Sequence, residues 1–200
     1  MNQPFEFKPI SDSEQDAKAV QFMTLTDIEA GQHPDSLTVA NPNNKQLVDT
    51  QRAKHAHHPE QYRGAYDEHG ELVGYIKVDN WYYGLEVPFT SGIEKQLLIA
   101  RKFVTRRHVL PGNPLGIMGL VADPRLAEHY TQEVVNDMLI GLVDYAIEVA
   151  ESGETVREIK VPHYAGDPAR EATTAQGFVY SGKSGELFDI KQDLYVRTPR

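Results

Sequence analysis

The clearest pattern along the chain is a helical one. Apolar residues recur in pairs about every four positions from Val134 to Ile147, the spacing of an amphipathic helix with one buried face, and Thr131 precedes them as a candidate N-cap. The nearly continuous apolar run 115–121 predicts a strand covered on both faces. Residues 156–161 predict a further strand. This order of strand, helix and strand places two parallel strands in one sheet.

The N-terminal half of the chain predicts a strand, a helix and a hairpin. Apolar and polar residues alternate over 5–10, and Ser11-Asp12-Ser13-Glu14 has the spacing of a capping box that opens a helix. Residues 61–65 and 72–78 are rich in Tyr, Val and Ile and flank a turn composition, so they predict a hairpin. Its second arm is expected to run on through 81–87. Residues 35–59 predict a loop and a short helix.

The remaining segments complete a mixed α/β pattern. Residues 93–104 predict a helix with a basic face, for which a solvated surface is favoured over an anionic partner. Asp167-Pro168 opens a short helix that ends at Gln176. Residues 178–180 and 187–196 predict two closing strands joined by a Ser-Gly-Lys-Ser-Gly turn. The sequence therefore predicts a central mixed β-sheet of about six or seven strands with helices on both faces.

Length and charge narrow the function classes. The 200 residues fit a single domain, 1–200, and 40% hydrophobic with 24% charged residues is close to a globular average. The net charge of -9 argues against nucleic-acid binding and against docking on anionic membranes. No secretory signal is visible at the N-terminus and no apolar run is long enough to span a bilayer, so a cytoplasmic location is expected.

Several kinds of reactive site are disfavoured by composition or spacing. The chain has no cysteine, which excludes disulfides, thiolate nucleophiles and Cys-ligated zinc. His55-Ala56-His57-His58 lacks a carboxylate at a recognised ligand spacing, so no metal site is predicted. Gly182-Lys183-Ser184 lacks the leading glycine of a phosphate loop, and no G-x-S-x-G hydrolase motif occurs. For the aromatic residues between Tyr62 and Tyr83, sheet packing and a pocket lining both remain open.

Two short motifs, in this order of elements, carry a resemblance to a known family. Gly119-Leu120-Val121-Ala122-Asp123-Pro124 precedes the long helix, and Ala172-Thr173-Thr174-Ala175-Gln176-Gly177-Phe178 precedes the last strands. With the hairpin and the parallel strands, this order resembles the GNAT superfamily of acyl-CoA-dependent N-acetyltransferases over nearly the whole chain. Neither motif is specific by itself.

The resemblance implies an acetyl-CoA site. In the family, the strand matching 115–121 diverges from the next parallel strand, and the pantetheine arm of the cofactor lies in the gap. Backbone groups of Leu120 and Val121 are then expected to bind the arm and to polarise the thioester carbonyl. The start of the long helix is expected to receive the pyrophosphate. The implied cofactor-binding residues are Leu120, Val121, Glu128, His129, Tyr130, Thr131 and Gln132.

The chain departs from the family pattern at two positions. The usual phosphate loop reads R/Q-x-x-G-x-G/A, whereas the matching stretch 126–131 contains no glycine. Many members carry a Tyr four residues before Gly-Phe as the acid that protonates the thiolate, and this position is Thr173. A Thr hydroxyl is too weak an acid for that role, so Tyr164 becomes the candidate acid. Glu86 and Asp123 are the candidate bases, each acting through water.

Two functions follow from these observations. The first is acetyl transfer from acetyl-CoA to a primary amine of a small molecule or peptide by direct attack, without a metal. The alternative is a non-catalytic GNAT-like ligand-sensing or interaction module, which the missing glycines and Thr173 motivate. A homodimer paired through the strand-rich C-terminus is one open arrangement.

Overall fold

The structure is a computed structural model that describes residues 4–11, 13–32, 58–96, 114–152, 156–187 and 190–199. Two predicted segments, the loop and helix at 35–57 and most of the basic helix at 93–104, lie outside these ranges, although residues 92–96 are helical. Of the helices in the described ranges, none combines the length and apolarity that crossing a bilayer requires.

Seven strands form one mixed sheet, which confirms the predicted architecture. The strands are β1 (Glu6–Pro9), β2 (Tyr62–Tyr66), β3 (Leu72–Asn80), β4 (Leu115–Ala122), β5 (Ile159–Tyr164), β6 (Val179–Leu187) and β7 (Ile190–Arg197). Their spatial order is β1-β2-β3-β4-β5-β7-β6. The β4 and β5 strands are the parallel pair, and the other neighbours are antiparallel.

Helices cover both faces of the sheet. The helices are α1 (Glu14–Gln32), α2 (Tyr83–Glu86), α3 (Gln132–Ser152) and α4 (Ala169–Ala175). The predicted apolar stripe of α3 packs with α4 on one face, in a cluster that includes Ile76 and Ile117. Successive strand residues point to opposite faces, and Tyr75 accordingly packs with α1 on the other face. The α1 helix therefore covers one face of the sheet, and α3 with α4 covers the other.

The start of α1 lies two residues from the predicted cap. Ser13, not Ser11, is the capping residue, because its hydroxyl accepts a hydrogen bond from the Asp16 N–H at 3.1 Å. Asp16 reaches back to the hydroxyl of Ser11 at 2.6 Å and also accepts from Tyr66 at 2.9 Å. The buried tertiary bond to Tyr66 fixes where this carboxylate lies and therefore which serine begins the helix.

The extension of the hairpin arm through 81–87 was wrong. The β3 strand ends at Asn80, and the chain turns into α2 and then a 3-10 turn at Val87–Phe89. Trp81 is fully buried, and its indole N–H donates to the Glu86 carboxylate at 2.7 Å. A strand would hold these two side chains too far apart for that bond, so the short helix satisfies the buried indole.

The first closing strand is longer than the predicted 178–180, whereas the second, at Ile190–Arg197, is shorter than the predicted 187–196. The β6 strand includes the residues expected to form the turn. This is possible because its pairing with β7 has a register irregularity between Tyr180 and Lys183. Gly182, with a φ of 78°, lies in that irregularity. The β5 strand begins at Ile159 rather than three residues earlier. The predicted capping of α4 by Asp167 is confirmed, since the Asp167 carboxylate accepts a hydrogen bond from the Ala169 N–H at 2.8 Å.

Candidate functional site

The parallel strands β4 and β5 separate soon after they begin. Their register contains only two pairs, Leu115 with Ile159 and Gly116 with Lys160. Past this point each strand continues, but no further pairing joins them. Backbone N–H and C=O groups that lose their strand partner need another one. The split therefore exposes a strand edge that can bind an extended, amide-containing ligand.

Two cavities open at this split. The first, here called the sheet cavity, has a volume of about 110 Å³ and lies between α1 and the strands; its lining includes Thr24, Tyr75, Lys77, Gly119, His163 and Gln192. The second, here called the helix cavity, has a volume of about 330 Å³ and lies between α1, α3 and α4; its lining includes Thr26, Ala122, Ala127, Gln132, Val135 and Ala169. A ligand in one cavity would adjoin a ligand in the other.

Four residues line both cavities: Asp27, Leu120, Val121 and Tyr164. Two of them, Leu120 and Val121, were expected at the split, and Tyr164 was the expected acid. Asp27 was not foreseen. These four residues form what is here called the shared wall, at which two bound reactants would meet.

The direction of the β4 backbone decides which amides face the split. A register irregularity opposite Lys77 and Val78 leaves Met118 as an extra residue on β4. Beyond it, the Asp123 N–H donates to Val73 of β3 at 2.8 Å. Backbone N–H groups alternate sides along a strand. The N–H of Val121, two residues before Asp123, therefore also points to β3. The amides of Leu120 and Ala122 therefore point toward the split.

Asp27 and Tyr164 are joined inside the shared wall. The Tyr164 hydroxyl donates a hydrogen bond to Asp27 Oδ1 at 3.1 Å. Burial and the nearby Asp167 charge raise the pKa of Asp27 to about 7, although the bond from Tyr164 acts in the opposite direction. Burial, with the charges of Asp27 and Asp167, likewise raises the pKa of Tyr164. Asp27 thus changes its charge near neutral pH.

A second buried chain of polar groups supports this wall. His163 Nδ1 bonds Asp167 Oδ2 at 2.6 Å, and its Nε2 lies 2.8 Å from the Thr173 hydroxyl. The Thr173 hydroxyl also lies 3.0 Å from the Arg170 carbonyl. Thr173 is fully buried and lines neither cavity. At the position where the family pattern has a tyrosine, this chain has a side chain that holds His163 in place.

The turn before α3 differs from a glycine-rich anion loop. Residues Pro124–Glu128 form a 3-10 helix. Three of the amides near it are used internally, since Leu126 donates to Asp123 and both His129 and Tyr130 donate to Leu126. Such amides cannot also face an anion. The start of α3 itself is capped by Thr131, whose hydroxyl accepts from the Val134 N–H at 3.4 Å.

Of the residues expected around the pyrophosphate near the start of α3, one lines the helix cavity and four do not. Gln132 lines the helix cavity. Glu128, His129 and Thr131 are exposed beside it but are not part of its lining. Tyr130 is partly buried and packs against the Phe5 ring, with centroids 5.2 Å apart. Of these five residues, Gln132 is the one in direct contact with the cavity.

Asp123, one of the two expected bases, has a structural partner. It lines the helix cavity, but its Oδ1 accepts from the Arg125 backbone N–H and from Arg125 Nε, both at 2.9 Å. Arg125 also contacts the other carboxylate oxygen, at 3.1 Å from Nε. This carboxylate is therefore committed to capping the turn and pairing with Arg125.

Glu86, the other expected base, lies in a buried ion-pair network away from both cavities. Its Oε2 accepts from Trp81 and from Lys160 Nζ at 2.8 Å, and Lys183 lies 3.3 Å from Oε1. Burial alone would raise the pKa of Glu86, but Lys160, Trp81 and Lys183 together lower it. Glu86 lines neither the sheet cavity nor the helix cavity.

Sequence reasoning missed Asp27, although the pattern contained a signal. On α1, Val20, Met23 and Ile28 are buried, and a helix of period 3.6 places position 27 on the same side as 20, 23 and 24. An acidic residue on the apolar stripe of an amphipathic helix requires an explanation, because burying an unpaired carboxylate is unfavourable. That signal identifies Asp27 without a structure.

The metal and phosphate-loop interpretations find no support in the described residues. No group of three or more His, Cys, Asp or Glu side chains close enough to hold a metal ion occurs among them. His55 and His57 of the histidine cluster lie outside the described ranges, whereas His58 is exposed and bonds Glu60 at 3.3 Å. Lys183 belongs to a strand and contacts Glu86 rather than a helix N-terminus.

Comparison with solved structures identifies the fold. A chain in the crystal structure of the NatC complex bound to Gag peptide and CoA aligns with a TM-score of 0.58 at 14% identity, covering 98% of this chain and 99% of that one. A GNAT superfamily phosphinothricin acetyltransferase from Sinorhizobium meliloti, in complex with AcCoA, aligns with a TM-score of 0.56 at 11% identity, covering 98% and 89%.

A third neighbour performs different chemistry on the same fold. The GphF GNAT-like decarboxylase in complex with isobutyryl-CoA aligns with a TM-score of 0.58 at 15% identity, covering 98% of this chain and 100% of that one. No family model and no curated protein sequence matches the chain. The chain therefore has the GNAT fold, and its function must be argued from the site.

Proposed function

We propose that this GNAT-fold chain is an N-acyltransferase that moves an acetyl group from acetyl-CoA to a primary amine by direct attack. The observation that carries the proposal is the separation of β4 from β5 after two residue pairs, with a cavity on each side of the shared wall. A fold with an unpaired parallel edge between two adjoining cavities suits a reaction between an extended thioester and a second small reactant.

The helix cavity suits the cofactor. It lies beside the start of α3, where helix amides and the helix dipole favour an anion, and it reaches the edge of β4 at Leu120 and Ala122. Amide groups of a pantetheine arm can bond this edge as an added strand would. Three structural neighbours carry CoA, AcCoA or isobutyryl-CoA in their structures. These observations support an acyl-CoA with its thioester at the shared wall.

The sheet cavity suits the amine. Two carboxylates, those of Asp27 and Asp167, line it together with tyrosine rings and one ammonium group, that of Lys77. Such a lining favours a neutral or cationic organic amine over an anionic acceptor. The amine nitrogen would attack the thioester carbonyl across the shared wall, where the Leu120 N–H is positioned to stabilise the charge that develops on the carbonyl oxygen.

Tyr164 is the proton donor that this arrangement favours. Tyr164 lines both cavities, and its hydroxyl bonds Asp27, which also lines both. This supports a role for the hydroxyl where the thiolate would leave. Thr173 points instead to His163, and neither Glu86 nor Asp123 is placed to act at the shared wall. Tyr164 therefore takes the role that the resemblance would assign to position 173.

Release of free CoA thiol in the presence of candidate amines tests the proposal. The chain has no cysteine, so a thiol reagent reports CoA release without background from the protein. Acetyl-CoA is supplied with a panel of alkyl, aryl and amino-acid amines and with peptides, and mass spectrometry identifies the acylated product. We expect thiol release and product in equal amounts with at least one amine class.

A matched pair of tryptophan variants locates the cofactor. Ala127 is exposed and lines the helix cavity, whereas Ala175 is exposed on α4 and lines neither cavity. We expect Ala127→Trp to weaken acetyl-CoA binding by about tenfold or more and Ala175→Trp to leave it unchanged. Acetyl-CoA binding without turnover on any amine would instead favour the non-catalytic ligand-sensing alternative.

A further inference from the structure

We propose that Asp27 and Tyr164 form one proton relay, in which Asp27 takes the proton of the attacking amine and Tyr164 gives a proton to the departing thiolate. The relay rests on the proposed acyl transfer and assigns the base that sequence reasoning did not find. It requires three things of the structure: both side chains at the boundary of the two cavities, a hydrogen bond between them, and a carboxylate oxygen able to accept a proton.

The placement of the two side chains meets the first requirement. Asp27 comes from α1 and Tyr164 from the last position of β5, and each lines both the sheet cavity and the helix cavity. The 3.1 Å hydrogen bond from the Tyr164 hydroxyl to Asp27 Oδ1 meets the second. A proton can therefore pass between the amine side and the thioester side through one pair of residues.

The second oxygen of Asp27 meets the third requirement. Among the described residues, none donates a hydrogen bond to Oδ2 of Asp27, and the residue is half-buried. Asp167, the other carboxylate of the sheet cavity, differs in this respect. Its Oδ1 accepts from the Ala169 N–H and its Oδ2 from His163. Asp27 is thus the carboxylate of the shared wall with capacity for another proton.

The step balances without any further reactant. The C–N bond forms as the amine attacks, and its N–H proton passes to Asp27 Oδ2. The C–S bond breaks, and the thiolate sulfur takes the hydroxyl proton of Tyr164. The proton on Asp27 then restores the Tyr164 hydroxyl through their hydrogen bond, after the carboxyl group turns its protonated oxygen toward the phenol. The amide and the free CoA thiol leave an unchanged pair.

The electrostatics of the pair support this order of events. A carboxyl group that titrates near 7 is matched to a base that works at neutral pH, and burial with the Asp167 charge gives Asp27 that property. The charge of Asp27 is one cause of the raised pKa of Tyr164. Protonating Asp27 removes that charge, so the Tyr164 hydroxyl becomes a stronger acid when it has to donate.

The elements around Asp27 hold it in position and add the other charges it experiences. Thr24, on the preceding turn of α1, bonds the Tyr75 hydroxyl of β3 at 2.6 Å and so ties the helix to the sheet. Asp167 and His163 face the same cavity from the end of β5, and Lys77 faces it from β3. The titration of Asp27 therefore depends on these neighbouring groups as well as on Tyr164.

The Asp27→Asn variant distinguishes two roles for Asp27: a base that takes a proton, and a residue that only orients Tyr164. The amide oxygen of asparagine can still accept the Tyr164 hydrogen bond, but the side chain cannot take a proton. We expect kcat to fall by about 100-fold or more, the size of a lost general base, with acetyl-CoA affinity unchanged. Glu29→Gln is the matched control, since Glu29 follows on α1 and lines neither cavity.

A titration provides a readout that does not depend on turnover. In protein labelled with ¹³C at the aspartate carboxyl groups, the resonance missing from Asp27→Asn belongs to Asp27. We expect its midpoint near pH 7, and a higher midpoint in Tyr164→Phe because the bond that lowers the pKa of Asp27 is lost. Tyr164→Phe should also reduce kcat, and the double variant should lose little more than either single variant.

Different results would overturn the relay in distinguishable ways. A wild type that transfers the acyl group while Asp27→Asn does so equally fast overturns the relay and leaves the proposed function intact. A midpoint near pH 4 that does not move in Tyr164→Phe also overturns the relay alone. A wild type that transfers no acyl group to any amine overturns the proposed function and the relay together.

Discussion

The carboxylate of Asp27 and the hydroxyl of Tyr164 lie 137 positions apart in the chain and 3.1 Å apart in the structure. One comes from the first helix and the other from the end of β5. The fold brings them together where the parallel strands have separated, so the split that exposes a strand edge also collects the acid and base groups. Substitutions at Asp27 and Tyr164 therefore test both the stability of the fold and the proposed proton transfer.

Stability should depend on pH through Asp27. The pKa of its carboxyl group is about 7 in the folded chain against a usual 3.8, so between about pH 4 and 7 the folded state binds more protons than the unfolded state. Stability from this group then falls as pH rises through that window. We expect the free energy of unfolding of wild type, minus that of Asp27→Asn, to drop by about 2–4 kcal/mol between pH 4 and pH 8.

Urea unfolding at several pH values measures this difference. Glu29→Gln supplies the control for removing a carboxylate from α1. A difference between wild type and Asp27→Asn that is constant with pH, or that grows toward pH 8, would show that Asp27 does not carry a raised pKa in the folded chain.

Glu86 should matter for stability rather than for turnover. Glu86→Gln leaves the Lys160 ammonium, whose side chain is only 9% exposed, without its buried anionic partner. Glu158 at 3.3 Å compensates in part. We expect a loss of about 2–4 kcal/mol in urea unfolding, with kcat of the folded protein unchanged.

A lysine variant in the same network provides the control. Lys183 contacts Glu86 at 3.3 Å but is 41% exposed, so Lys183→Met should cost less than about 1 kcal/mol. If Glu86→Gln were as stable as wild type and lowered kcat by two orders of magnitude, Glu86 would be a catalytic base after all.

Thr173 should hold His163 and take no part in proton transfer. Thr173→Val keeps the shape of the side chain and removes the hydroxyl that lies 2.8 Å from His163 Nε2. We expect a loss of about 1–3 kcal/mol in thermal or urea unfolding, the usual effect of an unsatisfied buried polar group, and unchanged kcat below the melting transition.

The neighbouring threonine is the matched control for that experiment. Thr174 is exposed, and its hydroxyl bonds only backbone carbonyls of its own helix in the described structure. Thr174→Val should change stability by no more than about 0.5 kcal/mol. A stable Thr173→Val variant with a strongly reduced kcat would instead assign the proton donor to position 173.

Glu128, in the turn before α3, should weaken binding of the cofactor pyrophosphate. Glu128 is exposed at the end of that turn, near the helix N-terminus that favours an anion. We expect Glu128→Gln to tighten acetyl-CoA binding about two- to fivefold at low ionic strength, with the gain lost in 0.5 M salt because of screening. Calorimetric titration at the two salt concentrations measures the change.

Two comparisons identify the source of that gain. S-acetylpantetheine, which lacks the pyrophosphate, should bind wild type and Glu128→Gln equally. Glu148→Gln, an exposed carboxylate toward the other end of α3, should have no effect. An equal gain for S-acetylpantetheine would mean that Glu128 acts on the thioester arm and not on the phosphates.

The sequence predicted those helices and strands whose local pattern of apolar residues is sufficient to define them. Eight residues of α3 are buried along one stripe, as the four-residue spacing requires, and the apolar run of β4 lies in the centre of the sheet. In both cases one short-range pattern matches one buried environment. The parallel pair and its separation followed from the order of these elements together with the family resemblance.

The errors lie where a distant partner decides the local structure. Trp81 to Val87 has strand composition, but the buried indole is satisfied by Glu86, which is itself held by Lys160 from β5. The base roles predicted for Glu86 and Asp123 are a separate matter and stay predictions: they rest on residue type, and the structure pairs the two carboxylates with Lys160 and Arg125. Asp27 was identifiable only as a carboxylate on an apolar stripe, and its partner Tyr164 required the fold.

Amide hydrogen exchange of β4, followed by NMR with and without saturating acetyl-CoA, tests the central claim most directly. The amides of Leu120 and Ala122 point into the split, whereas that of Val121 already faces β3. A thioester arm bound along this edge should slow exchange at Leu120 and Ala122 and leave Val121 unchanged as an internal control. Unaltered exchange at Leu120 and Ala122 under saturating acetyl-CoA would contradict binding of the cofactor between β4 and β5.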